Sequence, residues 1–109
     1  VDYRPLKGGQ LKKDVEDLAL AAYRVLDCRD GGRVDVRLDR DGRPSFMEVN
    51  PLPGLHPTHS DLPMIATQQG MSYGELLAAI IASAAQRYGL APAPGSCGRC
   101  VLGTATRNL

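Results

Sequence analysis

Two carboxylates, an amide and an arginine recur at alternating positions near the middle of the chain. They lie in the runs Arg33-Val34-Asp35-Val36-Arg37-Leu38 and Ser45-Phe46-Met47-Glu48-Val49-Asn50, on either side of Asp41-Gly42. Asp-Gly between two alternating runs is a strong hairpin signal. With Asp41-Gly42 as a two-residue loop, Arg40 faces Arg43. Counting outward then sets Asp39 opposite Pro44, Val36 opposite Met47, Asp35 opposite Glu48 and Arg33 opposite Asn50. Side chains alternate between the faces of a strand. Val34, Val36, Leu38, Met47 and Val49 are therefore the expected buried face, and Arg33, Asp35, Arg37, Phe46, Glu48 and Asn50 the other.

Directly opposed cross-strand residues have Cβ atoms about 4.5–5.5 Å apart, where like charges repel. Asp35 and Glu48 can coexist in three ways: with a cation between them, with Arg33 and Arg37 as counter-ions on a solvated face, or with one carboxyl protonated. A hard cation such as Mg²⁺ takes carboxylate and carbonyl oxygens, and Asn50 supplies one of the latter. After Asn50, the stretch from Pro51 to Pro57 holds three prolines and Gly54. It predicts an ordered, non-helical loop leaving the strand that carries Glu48 and Asn50.

Arg33-Val34-Asp35, then Glu48-Val49-Asn50-Pro51-Leu52-Pro53-Gly54, then Ser60, resembles the C-terminal part of the D-alanine–D-alanine ligases, members of the ATP-grasp superfamily. The flanks Ala21-Ala22-Tyr23-Arg24-Val25-Leu26 and Gly70-Met71-Ser72-Tyr73-Gly74-Glu75-Leu76-Leu77 are also similar, and the resemblance covers roughly residues 2–88. It implies two Mg²⁺ (or Mn²⁺) ions, with Asp35 on one, Glu48 bridging both and Asn50 on the second. It implies that Arg33 contacts the transferred phosphoryl group and that the backbone N–H of Gly54 helps to bind an oxyanion. Ser60 and Leu62 fall where the family contacts the carboxylate of the second amino acid. Common members have Ser-Leu adjacent there, whereas this chain reads Ser60-Asp61-Leu62, which leaves the acceptor open.

The reaction so implied has two steps. ATP phosphorylates the carboxylate of a first D-alanine, and the amine of a second attacks the acyl phosphate and releases inorganic phosphate. The dipeptide serves peptidoglycan precursor synthesis. Such chemistry depends on positioning and charge neutralisation, which matches two anionic ligands, one neutral oxygen and an arginine fork. The family's ATP-phosphate lysines, adenine-binding segment and first-substrate site lie upstream of this region. The chain is therefore expected to be a C-terminal fragment, inactive alone, with the missing N-terminal part as its partner and a homodimer as a further option. A ligase with another acceptor (D-lactate, D-serine or an unrelated amino acid) and a non-catalytic remnant are the alternatives.

The elements that must position these residues are readable from periodicity. Leu11, Val15, Leu18, Ala22, Val25 and Leu26 recur at helical spacing and predict a helix over 10–27 with one apolar face. Ser60 or Asp61 can cap a helix over about 62–69 with Pro63 in its first turn. Ser72-Tyr73-Gly74-Glu75 fits a capping box opening a helix over about 73–88, with Leu76, Leu77, Ile80, Ile81 and Ala84 as its stripe. The expected fold is α+β, an antiparallel hairpin packed against three helices, as the C-terminal part of an ATP-grasp domain spanning 1–89.

Residues 90–109 differ in character: Ala91-Pro92-Ala93-Pro94-Gly95-Ser96 reads as a linker and the rest as a disordered tail. Cys97-Gly98-Arg99-Cys100 has C-x-x-C spacing, but only Cys28, His56 and His59 remain to complete a zinc set. His56 reads as a solvated loop residue, and His59, beside Ser60, as one placed to touch substrate.

The 109 residues suffice for one small domain, and 43% apolar with 23% charged residues is an ordinary globular composition. A net charge of +1 gives no pull toward nucleic acid or an anionic membrane. The longest apolar run, Leu76–Ala82, is far short of a membrane span, and no secretory signal opens the chain, so a cytoplasmic location is expected.

Overall fold

The computed structural model describes residues 2–90 and 104–107, with side chains for Arg4 and residues 6–90. In chain order the elements are β1 (Asp2–Pro5), α1 (Gln10–Val25), β2 (Arg33–Leu38), β3 (Pro44–Asn50), α2 (Asp61–Gln68), α3 (Tyr73–Arg87) and β4 (Thr104–Arg107). The architecture is α+β with two separate two-stranded antiparallel sheets, β2–β3 and β1–β4. The β4 strand lies inside the stretch expected as a disordered tail. Cys97 and Cys100 lie outside the described residues. Among the described residues, no helix is long and apolar enough to cross a membrane.

The three helices begin and end within two residues of their expected positions. Each stops in the same way: a backbone N–H two residues beyond the cap reaches back to a carbonyl of the last turn, and the preceding N–H bonds the next carbonyl. The pairs are Cys28 to Tyr23 and Asp27 to Arg24 after α1, Met71 to Ala66 and Gly70 to Thr67 after α2, and Leu90 to Ala85 and Gly89 to Gln86 after α3. The left-handed residue this motif needs is glycine twice, but Asp27, at φ 56°, after α1. The capping box of α3 is formed as expected: Ser72 Oγ accepts from Glu75 N–H and Glu75 Oε2 accepts from Ser72 N–H.

The hairpin departs from its expected register in two places. Asp39 Oδ1 accepts from the N–H groups of Asp41 and Arg43, and Asp39 N–H donates to Arg43 O at 2.8 Å. The loop is thus three residues, Arg40-Asp41-Gly42, and Asp39 pairs with Arg43 rather than Pro44. A bulge then follows, since Val36 pairs with Phe46 while Asp35 pairs with Glu48, which leaves Met47 as the extra residue. The two irregularities cancel, so the expected partners Asp35–Glu48 and Arg33–Asn50 are present. Phe46 moves to the face of Val36, away from the carboxylates.

α1 packs on β2 and β3, and α2 packs on α3 and β1. Among the described residues the buried side chains are few: Pro63, Ile65 and Ala66 of α2 and Leu76 of α3. Three expectations of burial fail: Ile81 of the α3 stripe is 67% exposed, and the other two concern the hairpin and α1. Leu38 and Met47 are 51% and 56% exposed on the supposed inner face of the hairpin. On α1, Val15, Leu18 and Ala22 are half-buried, but Leu11, Val25 and Leu26 are exposed. Helical or strand period locates an apolar face, not the surface that covers it.

Two contacts tie the hairpin to the helices. Asp30, in the α1–β2 link, accepts from Ser83 Oγ (3.1 Å) and from Arg87 Nη2 (2.6 Å) on α3. The Arg87 guanidinium, helped by the Ser83 hydroxyl, holds the Asp30 carboxyl below the usual carboxylate range. At Gly32 the chain passes so close to Tyr23 of α1 that a Cβ would lie 2.6 Å from the ring and 3.1 Å from the Asn50 carbonyl oxygen. Tyr23 is fixed there by donating its hydroxyl to Arg29 O at 2.9 Å.

Candidate functional site

Arg33 opens β2 beside Asn50, which closes β3, so the base of the hairpin carries the site. The guanidinium is the centre of the arrangement. Its Nε donates to Asp35 Oδ1 (2.9 Å) and its Nη2 to Asp35 Oδ2 (3.3 Å), a two-pronged contact. The same Nη2 is 3.6 Å from Glu48 Oε1, and Nη1 donates to Asp61 Oδ2 at 3.1 Å. Both hairpin carboxylates therefore face one side, and of the three ways to reconcile them the structure has a counter-ion. That counter-ion is Arg33 alone: Arg37 is exposed and makes no ion pair with a described residue. Hydrogen bonding to Asp35 raises the Arg33 pKa further, so the group is a permanent cation.

Asn50 is half-buried, and its Oδ1 accepts from Leu52 N–H at 3.1 Å, which starts the following loop. A carbonyl oxygen has a second lone pair, so this contact does not exhaust it. Among the described residues no three His, Cys, Asp or Glu side chains are gathered for a metal. The candidate set is two carboxylates and an amide. Their donor chemistry fits a hard divalent cation: all are oxygens, all lie on one face, and the opposed pair needs positive charge between it. A cation there would compete with the Arg33 fork for the charge of Asp35.

The loop from Gly54 to Ser60 builds the other side. Ser60 N–H donates to His56 O (3.1 Å), and Ser60 Oγ accepts from His56 N–H (2.8 Å). Ser60 occupies the N-cap position of α2, but its hydroxyl serves this loop, not the helix. Gly54 lies against it, since an added Cβ would meet Ser60 Oγ at 2.7 Å. Tyr73 Oη donates to Leu55 O at 2.7 Å and ties the loop to α3. The His56 and His59 rings stack with centroids 4.5 Å apart, and both are exposed.

Loop and hairpin meet at an open cleft of about 210 Å³ bordered by Arg33, Gly54, His59, Ser60, Asp61 and Leu62. Four expected site residues, Arg33, Gly54, Ser60 and Leu62, thus share one cleft. Asp35 and Glu48 join it through Arg33, and Asn50 stands across the strand from Arg33. Asp61 was not foreseen as a site residue. Its only sequence signal is that it interrupts the Ser-Leu pair, and its contact with Arg33 spans 28 residues.

The D-ala D-ala ligase C-terminus family matches residues 4–82. A D-alanine–D-alanine ligase of Bordetella petrii is 49% identical over 72 residues, covering 66% of this chain and 22% of that protein. An uncharacterized protein, y4sG, of Sinorhizobium fredii is 43% identical over 74 residues, 68% of this chain and 22% of its own length. A D-alanine–D-alanine ligase of Cupriavidus metallidurans is 43% identical over 74 residues, with the same coverage of both chains. No solved structure matches the chain. The chain thus spans about a fifth of the length of these relatives, and it belongs to the D-ala D-ala ligase C-terminus family.

Proposed function

We propose that the chain is the C-terminal segment of an ATP-dependent carboxylate–amine ligase that joins two D-alanines through an acyl phosphate for peptidoglycan precursors. The carrying observation is the shared face of Arg33, Asp35, Glu48 and Asn50 opening on the Gly54–Leu62 loop. In this reading Asp35, Glu48 and Asn50 hold two Mg²⁺ or Mn²⁺ ions, which supply charge neutralisation on the ATP phosphates when bound. Arg33 donates to the oxygens of the transferred phosphoryl group, for which its planar fork is suited. The Gly54 N–H donates to the oxyanion formed when the amine attacks, and its missing side chain keeps Ser60 close. Ser60 and Leu62 hold the acceptor's carboxylate. The rest of the ligase supplies the first-substrate and adenine sites, and a cytoplasmic setting provides ATP.

A second reading has one observation in its favour. Asp61 borders the same cleft as Ser60 and Leu62 and separates two residues that common members have adjacent, which favours another acceptor, such as D-lactate, D-serine or an unrelated amino acid. An acceptor screen on the full-length protein separates the two readings. In that protein Glu48→Gln is expected to lower turnover at least a hundredfold, in the range typical of lost transition-state electrostatics. Turnover within twofold of the parent would remove Glu48 from the machinery.

A further inference from the structure

Arg33 is gripped from two directions. Nε and Nη2 face the hairpin carboxylates of Asp35 and Glu48, while Nη1 faces Asp61 in the first turn of α2. These partners differ in what a divalent cation does to them. A divalent cation on the Asp35 and Glu48 oxygens repels the guanidinium and draws off the carboxylate charge that holds it, so it weakens their grip on Arg33. Asp35 and Glu48 share the strand face with Asn50, so they are the oxygens the cation takes. Asp61 belongs to another element and borders the cleft instead.

We propose that Asp61 is a positioning residue: it keeps the Arg33 guanidinium at the cleft while Asp35 and Glu48 are given up to a divalent cation. The inference rests on the reading of Asp35, Glu48 and Asn50 as a cation site. On Arg33, Asp61 accepts from Nη1, the nitrogen that the hairpin carboxylates leave uncovered. Once the hairpin carboxylates turn to the cation, Nε–H and Nη2–H are released as two parallel donors, the edge that matches phosphate or carboxylate. The cation thereby converts Arg33 from an internal counter-ion into an anion-binding fork, and Asp61 is the pivot. Without it no other described carboxylate contacts the displaced guanidinium, which is already one-third exposed and moves to solvent.

The test uses the 109-residue chain, Mg²⁺ and inorganic phosphate, read by NMR of the arginine Nε–H groups and the side-chain carboxyl carbons. In the wild type, Mg²⁺ should shift the Asp35 and Glu48 carboxyl signals and leave the Arg33 Nε–H ordered. Phosphate should then bind in a Mg²⁺-dependent way. In Asp61→Asn, Mg²⁺ should make Arg33 as mobile as Arg37, and phosphate affinity should fall about tenfold, the value of one charge-assisted hydrogen bond. Asp61→Glu should restore both. A merely structural Asp61 moves neither the Mg²⁺-dependent order of Arg33 nor the phosphate affinity, so wild-type behaviour in Asp61→Asn overturns the proposal and spares the cation site. Absence of any Mg²⁺ effect on Asp35 and Glu48 overturns both together. If Asp61→Asn fails to fold, the wild type decides: an Arg33 that becomes mobile on Mg²⁺ addition also overturns the proposal.

Discussion

Gly32→Ala should destabilise the chain by about 1–2 kcal/mol, and the sign is set by two opposed effects. Gly32 does not adopt a left-handed backbone, so alanine reduces the freedom of the unfolded chain and gains roughly 0.4–1 kcal/mol. Against this, the new Cβ would sit 2.6 Å from Tyr23 Cε2, about 1 Å inside ordinary carbon–carbon contact, and 3.1 Å from the Asn50 carbonyl oxygen. The Tyr23 ring cannot simply swing away, because its hydroxyl is bonded to Arg29 O. Overpacking of this kind costs roughly 1–3 kcal/mol, which outweighs the entropic gain. Urea unfolding followed by circular dichroism measures the difference, and for a domain of this size a 1 kcal/mol loss lowers Tm by about 4–8 °C. Tyr23→Leu removes the ring from the collision, so in that background Gly32→Ala should cost at least 1 kcal/mol less than it does alone. Gly74→Ala is the internal control. Gly74 is in the first turn of α3 with nothing within 4 Å of an added Cβ, so that substitution should stabilise by about 0.5–1 kcal/mol. Equal effects of the two substitutions would refute the close approach of Tyr23 to the start of β2.

Asp27→Gly should stabilise by about 0.5–1 kcal/mol in the same unfolding assay, because Asp27 holds the left-handed position after α1 and its ion pair with Arg29 is solvent-screened; a destabilised variant would count against that motif. The Asp30 tie predicts an acid response. Its pKa is lowered in the folded state, so its stabilisation is full above the ordinary carboxylate value of about 4 and is lost as pH falls through the lower folded value. Asp30→Asn should therefore be less stable than wild type at pH 6, with the gap closing below about pH 4; a gap that does not change with pH would remove Asp30 from the acid response.

The parts of the fold written in local chemistry were legible. Ser72 and Glu75 announce α3, and the alternating runs around Asp41-Gly42 announce the hairpin with Asp35 opposite Glu48. That pairing was reached through a register wrong by one residue at the turn, where the Asp39 side chain organises a longer loop, and corrected by the bulge at Met47. Neither irregularity has a marker in an alternating pattern. The clustering of Arg33, Gly54, Ser60 and Leu62 came from motif resemblance, and the cleft brings them together. What stayed hidden depends on chain segments meeting in space. The Arg33–Asp61 contact, the diversion of the Ser60 hydroxyl into the His56 turn and the β1–β4 pairing all join distant or competing partners. The exposure of Leu38, Met47 and Val25 belongs to the same class, since a periodic stripe does not reveal its cover.

The bulge at Met47 divides the hairpin into two ribbons of opposite phase. Between Arg33–Asn50 and Asp35–Glu48 at the base and Val36–Phe46 to Leu38–Pro44 toward the tip, one residue of β3 is counted on one strand only. Insertions or deletions in the Arg40–Gly42 turn can therefore be absorbed at the tip without turning Glu48 away from Asp35. Loss of Met47 alone would remove the bulge: Phe46 and Glu48 would become neighbours on opposite faces, and the Val36–Phe46 and Asp35–Glu48 pairs would both persist in a regular ladder. A one-residue insertion or deletion between Glu48 and Asn50 is the harmful one, since it would turn one of the site's side chains to the other face.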